Sequence, residues 1–165
     1  MSKVHRYRLN VRSIRELTQL LKQLFNVDFN RKASWEAVKI DRGREIYVVD
    51  GLPLFIRIDD GIYPTVICVE RRIVSLPKIV VDMGAVPHIT NGADVMMPGV
   101  VRIEGSFKDG YIVAVADEKY GKILAIARSL IPSEVASKTS TGRGFKNIHH
   151  VGDVFWKTMK NLQLV

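Results

Sequence analysis

Apolar and polar positions follow two different periods along the chain. Between residues 10 and 25 the apolar positions recur every three or four residues, which predicts an amphipathic helix. Ser13, followed by Glu16 three residues later, predicts a capping box in which Ser13 is the N-cap. The predicted buried stripe of this helix consists of Ile14, Leu17, Leu20, Leu21, Leu24 and Phe25.

Short strands are predicted on both sides of this helix. Residues 4–9 alternate apolar and basic side chains, which is typical of a short strand or an extended arm. From Trp35 onward the period changes to two, and turn sequences rich in Asp and Gly separate the apolar runs. The predicted strands are 37–40, 45–49 and 53–58. A helix packed on such an antiparallel meander forms a small α+β unit, which ends near Arg71 and Arg72.

A second series of short elements begins near Leu76. We predict a strand at 78–81, a short helix at 84–90 and another helix that begins at Pro132. The remaining segments are predicted strands or extended chain, at 95–97, 100–104, 111–116, 123–127 and 142–151. Many short strands separated by turns predict a small, partly closed barrel.

The chain carries a positive charge. It has 25 Lys and Arg against 17 Asp and Glu, a net charge of +8 and a pI near 9.7. This excess favours a polyanionic partner, and composition alone leaves RNA, DNA and an anionic membrane surface open. No apolar run approaches the roughly 18 residues of a membrane span, and the charged start does not resemble a signal peptide. We therefore expect a cytoplasmic protein without membrane insertion, and the single Cys68 agrees with a reducing compartment.

Four ordered segments resemble the PUA domain family. They are VVDMGA at 80–85, NGADVMMPGV at 91–100, GYIV at 110–113 and GRGFKNIHH at 142–150. LFIR at 54–57 and GIYPT at 61–65, with Gly152, Asp153 and Trp156, resemble the family of the malignant T-cell amplified protein and its archaeal relatives. That resemblance implies an α+β fold with a pre-PUA domain at residues 1–74 and a PUA pseudo-barrel of short mixed strands with small helices at 75–165.

The resemblance also implies a function. Members of this family bind RNA, so we expect structured tRNA or rRNA as partner, in translation initiation, recycling or RNA maturation. The small ribosomal subunit and an initiation-factor-like protein are the further partners that the family implies. The four histidines and one cysteine lack metal-ligand spacing, and no phosphate-loop motif is present, so we expect no metal, no cofactor and no catalytic activity.

The family binds RNA between the short helix and the closing strand, and this location identifies candidate residues. Main-chain amides at the start of the helix suit a phosphate, and glycines permit close approach, although tight turns are the better explanation of the glycines when they are taken alone. Arg143 and Lys146 are expected to neutralise phosphates, and His149 to stack on or hydrogen-bond a base. Because His149 and His150 point to opposite faces of a strand, only one of them lies toward the groove, and the sequence leaves open which. The expected RNA-binding residues are Gly84, Ala85, Val86, His88, Gly92, Ala93, Asp94, Arg143, Lys146 and His149.

Basic side chains near the N-terminus form a second candidate surface. The expected auxiliary phosphate contacts are Arg6, Arg8, Arg12 and Arg15. Surface arginines are as often merely solvated. An alternative function is a protein-interaction scaffold, or a targeting subunit for an RNA-modification or initiation-factor partner, which would dock on the apolar stripe of the first helix. The abundance of Ile, Val and Arg suggests an archaeal source.

Overall fold

The protein, described here for residues 3–165 by a computed structural model, divides into two compact units. The first unit comprises Met1–Ser75 and Met159–Val165, and the second comprises Leu76–Thr158. The final residues, 159–165, therefore group with the first unit, whereas the sequence-based division assigned them to the second domain.

The first unit is a five-stranded antiparallel sheet with two helices. In sheet order the strands are β1 (His5–Arg8), β2 (Trp35–Lys39), β3 (Arg44–Val49), β4 (Leu52–Ile58) and β5 (Gly61–Pro64). The helices are α1 (Val11–Phe25) and α2 (Val66–Glu70). Helix α1 buries Leu17 and Leu21, and its Phe25 ring stacks on Phe55 of β4 with 6.3 Å between centroids. The predicted amphipathic helix on an antiparallel meander is thereby confirmed.

Helix α1 begins at a different cap from the predicted one. Asn10 is the N-cap, and its side chain accepts a hydrogen bond of 2.8 Å from the Ser13 amide. Glu16 forms an ion pair with Arg12 at 3.2 Å and does not close a capping box. The extended backbone of Asn10 (φ −77°, ψ 166°) has the geometry that a capping residue needs, so the assignment of Ser13 as the cap was wrong.

The sequence pattern did not separate β5 from α2. Thr65 ends the strand and caps the helix, because its hydroxyl accepts a hydrogen bond from the Cys68 amide at 3.1 Å. Cys68 itself is fully buried, and burial raises the pKa of its thiol to about 12. The thiol therefore stays protonated at neutral pH and does not act as a nucleophile.

The second unit is a mixed six-stranded sheet that curls into a half-barrel. Its strands along the chain are β6 (Lys78–Val81), β7 (Val95–Met96), β8 (Val100–Glu104), β9 (Ile112–Asp117), β10 (Ile123–Ser129) and β11 (Arg143–His150). Its sheet order is β7-β11-β10-β9-β6-β8, with β6 parallel to β9. The helices that follow β6, β10 and β11 are α3 (Val86–Ile89), α4 (Ser133–Ala136) and α5 (Val154–Asn161), and α5 belongs to this unit only up to Thr158. The predicted α+β fold with a partly closed second sheet is confirmed.

The core of the second unit lies inside the curl of the sheet. Ile79, Val113 and Val115 are fully buried there, and the Phe107 ring meets the Phe145 ring edge-on at 5.9 Å. This core fixes which face of β11 turns inward. Within residues 3–165 no helix combines the length and the hydropathy needed to cross a bilayer.

Candidate nucleic-acid interface

An apolar cleft of about 470 Å³ opens beside α3 in the second unit. It is lined by Asp82, Ala85, His88, Ile89, Ala93, Asp94, Val95, Met96, Pro98 and Gly99. Met96 is 49% exposed, so apolar surface of the wall faces solvent. An open apolar surface with polar groups at its rim suits a planar, partly polar ligand such as a nucleobase.

The structure brings only some of the predicted residues to this cleft. Ala85, His88, Ala93 and Asp94 line it. Gly84, Val86 and Gly92 lie on α3 or next to its ends and do not form the cleft wall. Gly92 has a φ of 98°, the left-handed conformation expected after the helix.

The start of α3 already holds a negative group. Asp82 Oδ1 accepts a hydrogen bond from the Ala85 amide at 2.9 Å, and the Asp82 carbonyl lies 3.2 Å from the same amide. A carboxylate at this position repels a phosphate and occupies a donor that we expected the phosphate to use. The Ala85 amide, one of the three expected to bind a phosphate, is therefore already hydrogen-bonded to a carboxylate. A phosphate at the amides of Gly84 and Val86 stays a prediction.

Asn147 ties β11 to the cleft, although the sequence did not single it out. Its Nδ2 group donates to the carbonyl oxygens of Ile89 at 3.1 Å and Ala93 at 2.9 Å. The backbone amide of Asn147 donates to Asp94 Oδ1 at 2.8 Å, while Asp94 Oδ2 accepts from Arg143 Nη1 at 3.0 Å. Arg143 therefore forms an ion pair with Asp94, and both residues help to hold the cleft wall in place.

The two histidines of β11 occupy different environments. His149 is fully buried, with its Nδ1 atom 2.8 Å from Asp153 Oδ2 and its ring edge-on to Phe155 at 5.9 Å. It is not accessible to a base, so its assignment to the RNA-binding set is corrected. His150 is half-buried on the opposite face, and its Nδ1 donates to the Val151 carbonyl oxygen at 2.9 Å. A Cβ atom at Gly92 would lie 3.4 Å from His150 Nε2, so His150 is the histidine beside α3.

Asp153 is the charged partner of the buried histidine. Burial alone would raise the pKa of this carboxyl group, but the hydrogen bond and charge of His149 lower it, together with the amides of Trp156 and His150. The net effect holds the pKa of Asp153 below its usual range. Asp153 also caps α5 through a 2.9 Å hydrogen bond from the Trp156 amide, so its role is structural.

Lys146 is exposed on the outer face of β11. In the described residues 3–165 no carboxylate forms an ion pair with it. Arg128 of β10 is its direct cross-strand neighbour, and the guanidinium of Arg128 donates to the Gly110 carbonyl oxygen at 2.9 Å. Cross-strand neighbours share a face of the sheet, so two cations lie next to each other here.

The four N-terminal arginines differ in their partners. Arg6 pairs with Glu36 at 2.7 Å, and Arg12 pairs with Glu16. Arg8 and Arg15 are exposed, and neither forms an ion pair within the part of the chain that the structure describes. Of the four, these two have no carboxylate in ion-pair contact, although the charge of Arg8 also helps to lower the pKa of Glu36.

Two family models match the chain one after the other. Residues 5–72 match the domain of unknown function DUF1947, and residues 77–151 match the PUA domain. These matches cover the first and the second compact unit, respectively, and the second match includes the whole cleft.

Similar proteins occur in archaea, yeasts and animals. An uncharacterized protein of Methanocaldococcus jannaschii is 32% identical over 92% of this chain and 94% of its own. Translation machinery-associated protein 20 of Schizosaccharomyces pombe is 28% identical over 84% of this chain and 80% of its own. Malignant T-cell-amplified sequence 1 of Rattus norvegicus is 32% identical over 70% of this chain and 67% of its own. Among solved structures, a PUA-domain protein of Aeropyrum pernix superimposes with a TM-score of 0.84 at 29% identity, over 96% of this chain and 92% of that one.

Proposed function

Because this chain belongs to the family that joins a DUF1947 domain to a PUA domain, and that includes malignant T-cell-amplified sequence 1, we propose that it is a non-catalytic RNA-binding protein of translation. The name of translation machinery-associated protein 20 supports the translation setting. Structured tRNA or rRNA is the proposed ligand, with the small ribosomal subunit and an initiation-factor-like protein as proposed partners. RNA maturation is a second possible setting for the same binding activity.

The observation that supports this proposal most is the apolar cleft together with the two neighbouring cations, Lys146 and Arg128. The cleft presents apolar surface and carboxylates, which suit a base but repel a phosphate. Lys146 lies on β11, which pairs with β7 of that wall, and Arg128 lies on the next strand, β10, so a phosphate backbone can be neutralised there. A single RNA can therefore contact both surfaces, with one base in the cleft and its phosphate backbone over these two cations.

The first prediction concerns the charge on β11. Lys146→Glu is expected to weaken binding of all RNAs and to lower the slope of log affinity against log salt by about 0.7 to 0.9, the value of one phosphate contact. The measurement is a titration against tRNA, small ribosomal subunits and length-matched duplex DNA at two salt concentrations.

Lys157→Glu is the matched control, since it makes the same charge change on an exposed residue of α5. If both variants lose equal affinity, net charge rather than the β11 surface determines binding. The proposal would be contradicted if the unmodified protein bound all three nucleic acids with equal affinity and lost that binding at the higher salt concentration. In that case the protein-docking alternative gains support, because Leu24 of α1 is 52% exposed.

A second prediction tests the cleft by filling it. Neither Gly84 nor Gly92 forms the cleft wall, whereas Ala93 does, so Ala93 is the position to enlarge. Ala93→Phe is expected to reduce tRNA affinity by about 5- to 150-fold, since one lost base stack costs about 1–3 kcal/mol. The salt slope should not change, because no charge is altered. Folded Ala93→Phe protein with unchanged affinity would show that RNA does not enter the cleft.

A further inference from the structure

The turn between β9 and β10 presents an aromatic side chain to solvent. Tyr120 lies at its tip and is 73% exposed, more than any other large apolar or aromatic side chain in residues 3–165. The Nζ atom of Lys119 lies over one face of its ring, 5.2 Å from the centroid. Lys122 follows two residues later and is also exposed. Both the second face of the ring and two ammonium groups are thus accessible.

This tip is held rigidly from below. The buried carboxylate of Asp117 accepts hydrogen bonds from the amides of Tyr120 and Lys122, and the Asp117 carbonyl accepts from the Gly121 amide at 3.1 Å. Gly121 has a φ of 66°, which lets the chain close the turn. A fixed backbone lowers the entropy that an exposed ring loses when it binds a flat ligand.

The tip lies at the same end of the sheet as the apolar cleft. Strands β6 and β9 run parallel, with Val81 opposite Asp117, so both strands end together. The Glu118 amide donates to the Val81 carbonyl oxygen at 2.9 Å. The residue after Val81 is Asp82, which lines the cleft and caps α3. A strand of RNA that leaves the cleft past Asp82 therefore reaches the tip directly.

We propose that Lys119, Tyr120 and Lys122 form a second RNA contact, in which Tyr120 stacks on an unpaired base and the two lysines bind the flanking phosphates. This inference rests on the proposed RNA-binding function and adds the kind of RNA. An aromatic ring accepts any unpaired base but no base inside a duplex, whose faces are already stacked. The tip therefore selects RNA in which a single-stranded segment adjoins the structured part that occupies the cleft.

The test compares two RNAs of the same sequence, a hairpin with a single-stranded 3′ tail and the same hairpin without it. Tyr120→Ala is expected to weaken binding of the tailed hairpin by about 5- to 150-fold, the effect of one lost base stack, and to leave the salt slope unchanged. Tyr120→Phe keeps the ring and should restore the affinity. Lys122→Ala should instead lower the salt slope by about 0.7, and Lys108→Ala, on the loop before β9, should not.

The outcomes separate this inference from the function on which it depends. If the unmodified protein binds neither hairpin, both proposals are wrong. If it binds the tailed hairpin and folded Tyr120→Ala binds it equally well, the tip contact alone is wrong. An equal loss of affinity for both hairpins would also overturn it, because the effect would not come from an unpaired base.

Discussion

Replacing Asp153 by alanine is expected to lower the free energy of unfolding by about 3 to 5 kcal/mol, because three donors lose their acceptor at about 1–3 kcal/mol each. The variant leaves His149 buried without its carboxylate. It also removes the acceptor of the Trp156 and His150 amides at the start of α5. Urea unfolding followed by tryptophan fluorescence at neutral pH measures the change.

Asp109→Ala is the matched control, because Asp109 is an exposed aspartate of the same unit. Surface substitutions of this kind change stability by no more than about 0.5 kcal/mol. Equal urea midpoints for Asp153→Ala and Asp109→Ala would show that the buried pair does not stabilise the fold.

The contribution of Asp153 depends on pH in a defined direction. Its pKa is lowered in the folded protein, so its stabilisation is complete above the unfolded pKa of about 3.9 and is lost as pH falls through the lower folded value. The contribution of Asp153 to the stability difference between the unmodified protein and Asp153→Asn should therefore shrink as the pH falls below about pH 4. A difference that grows as the pH falls would contradict the lowered pKa.

The sequence predicted the regular elements wherever the hydrophobic period was unambiguous. Helix α1 and strands β2, β3 and β4 follow their periods closely. The segment 62–69 is apolar except for Thr65, and such a run does not distinguish a strand from a short buried helix. The change from β5 to α2 depends on the hydroxyl of Thr65, which caps α2 and donates to the Pro53 carbonyl oxygen at 2.6 Å. Pro53 is 12 residues from Thr65, so the local pattern of apolar and polar residues does not predict this hydrogen bond.

The candidate site was predictable in location but not in its polar contacts. The family resemblance led to Ala85, His88, Ala93 and Asp94, which do line the cleft. Residues separated by 49 positions form the Asp94–Arg143 pair, and no local pattern predicts such a contact.

The orientation of His149 was not available from the sequence. Simple alternation from Phe145 would place His149 on the Phe145 face of β11. The pairing of β11 with β10 is irregular at Ile148, because Asn147 lies opposite Ala127 whereas His149 lies opposite Ile126. His149 is therefore buried on the other face from Phe145, and no local pattern predicts such an irregularity. Alternation holds only from Phe145 to Asn147, which share a face.

The same alternation turns Asn147 inward and gives it an influence on both stability and binding. Asn147→Ala removes the two hydrogen bonds that hold the carbonyl oxygens of Ile89 and Ala93. A buried polar group left without its partner costs about 1–3 kcal/mol, and this cost applies to the Ile89 carbonyl oxygen, since water can replace the bond at the exposed Ala93. The Oδ1 atom of Asn147 is itself buried without a partner within the described residues, and its removal offsets part of that cost. We therefore expect a net loss of about 1 kcal/mol in the free energy of unfolding.

The effect on RNA binding follows from the position of these carbonyl groups. Ile89 and Ala93 line the cleft, so the loss of their tie to β11 loosens its wall. Asn147→Ala should weaken tRNA binding without changing the salt slope, since no charge is lost, in contrast to Lys146→Glu. Asn91→Ala, at an exposed asparagine next to α3, is the control and should leave both stability and affinity unchanged. If Asn147→Ala matches this control, α3 keeps its position without β11, and the cleft does not depend on the closing strand.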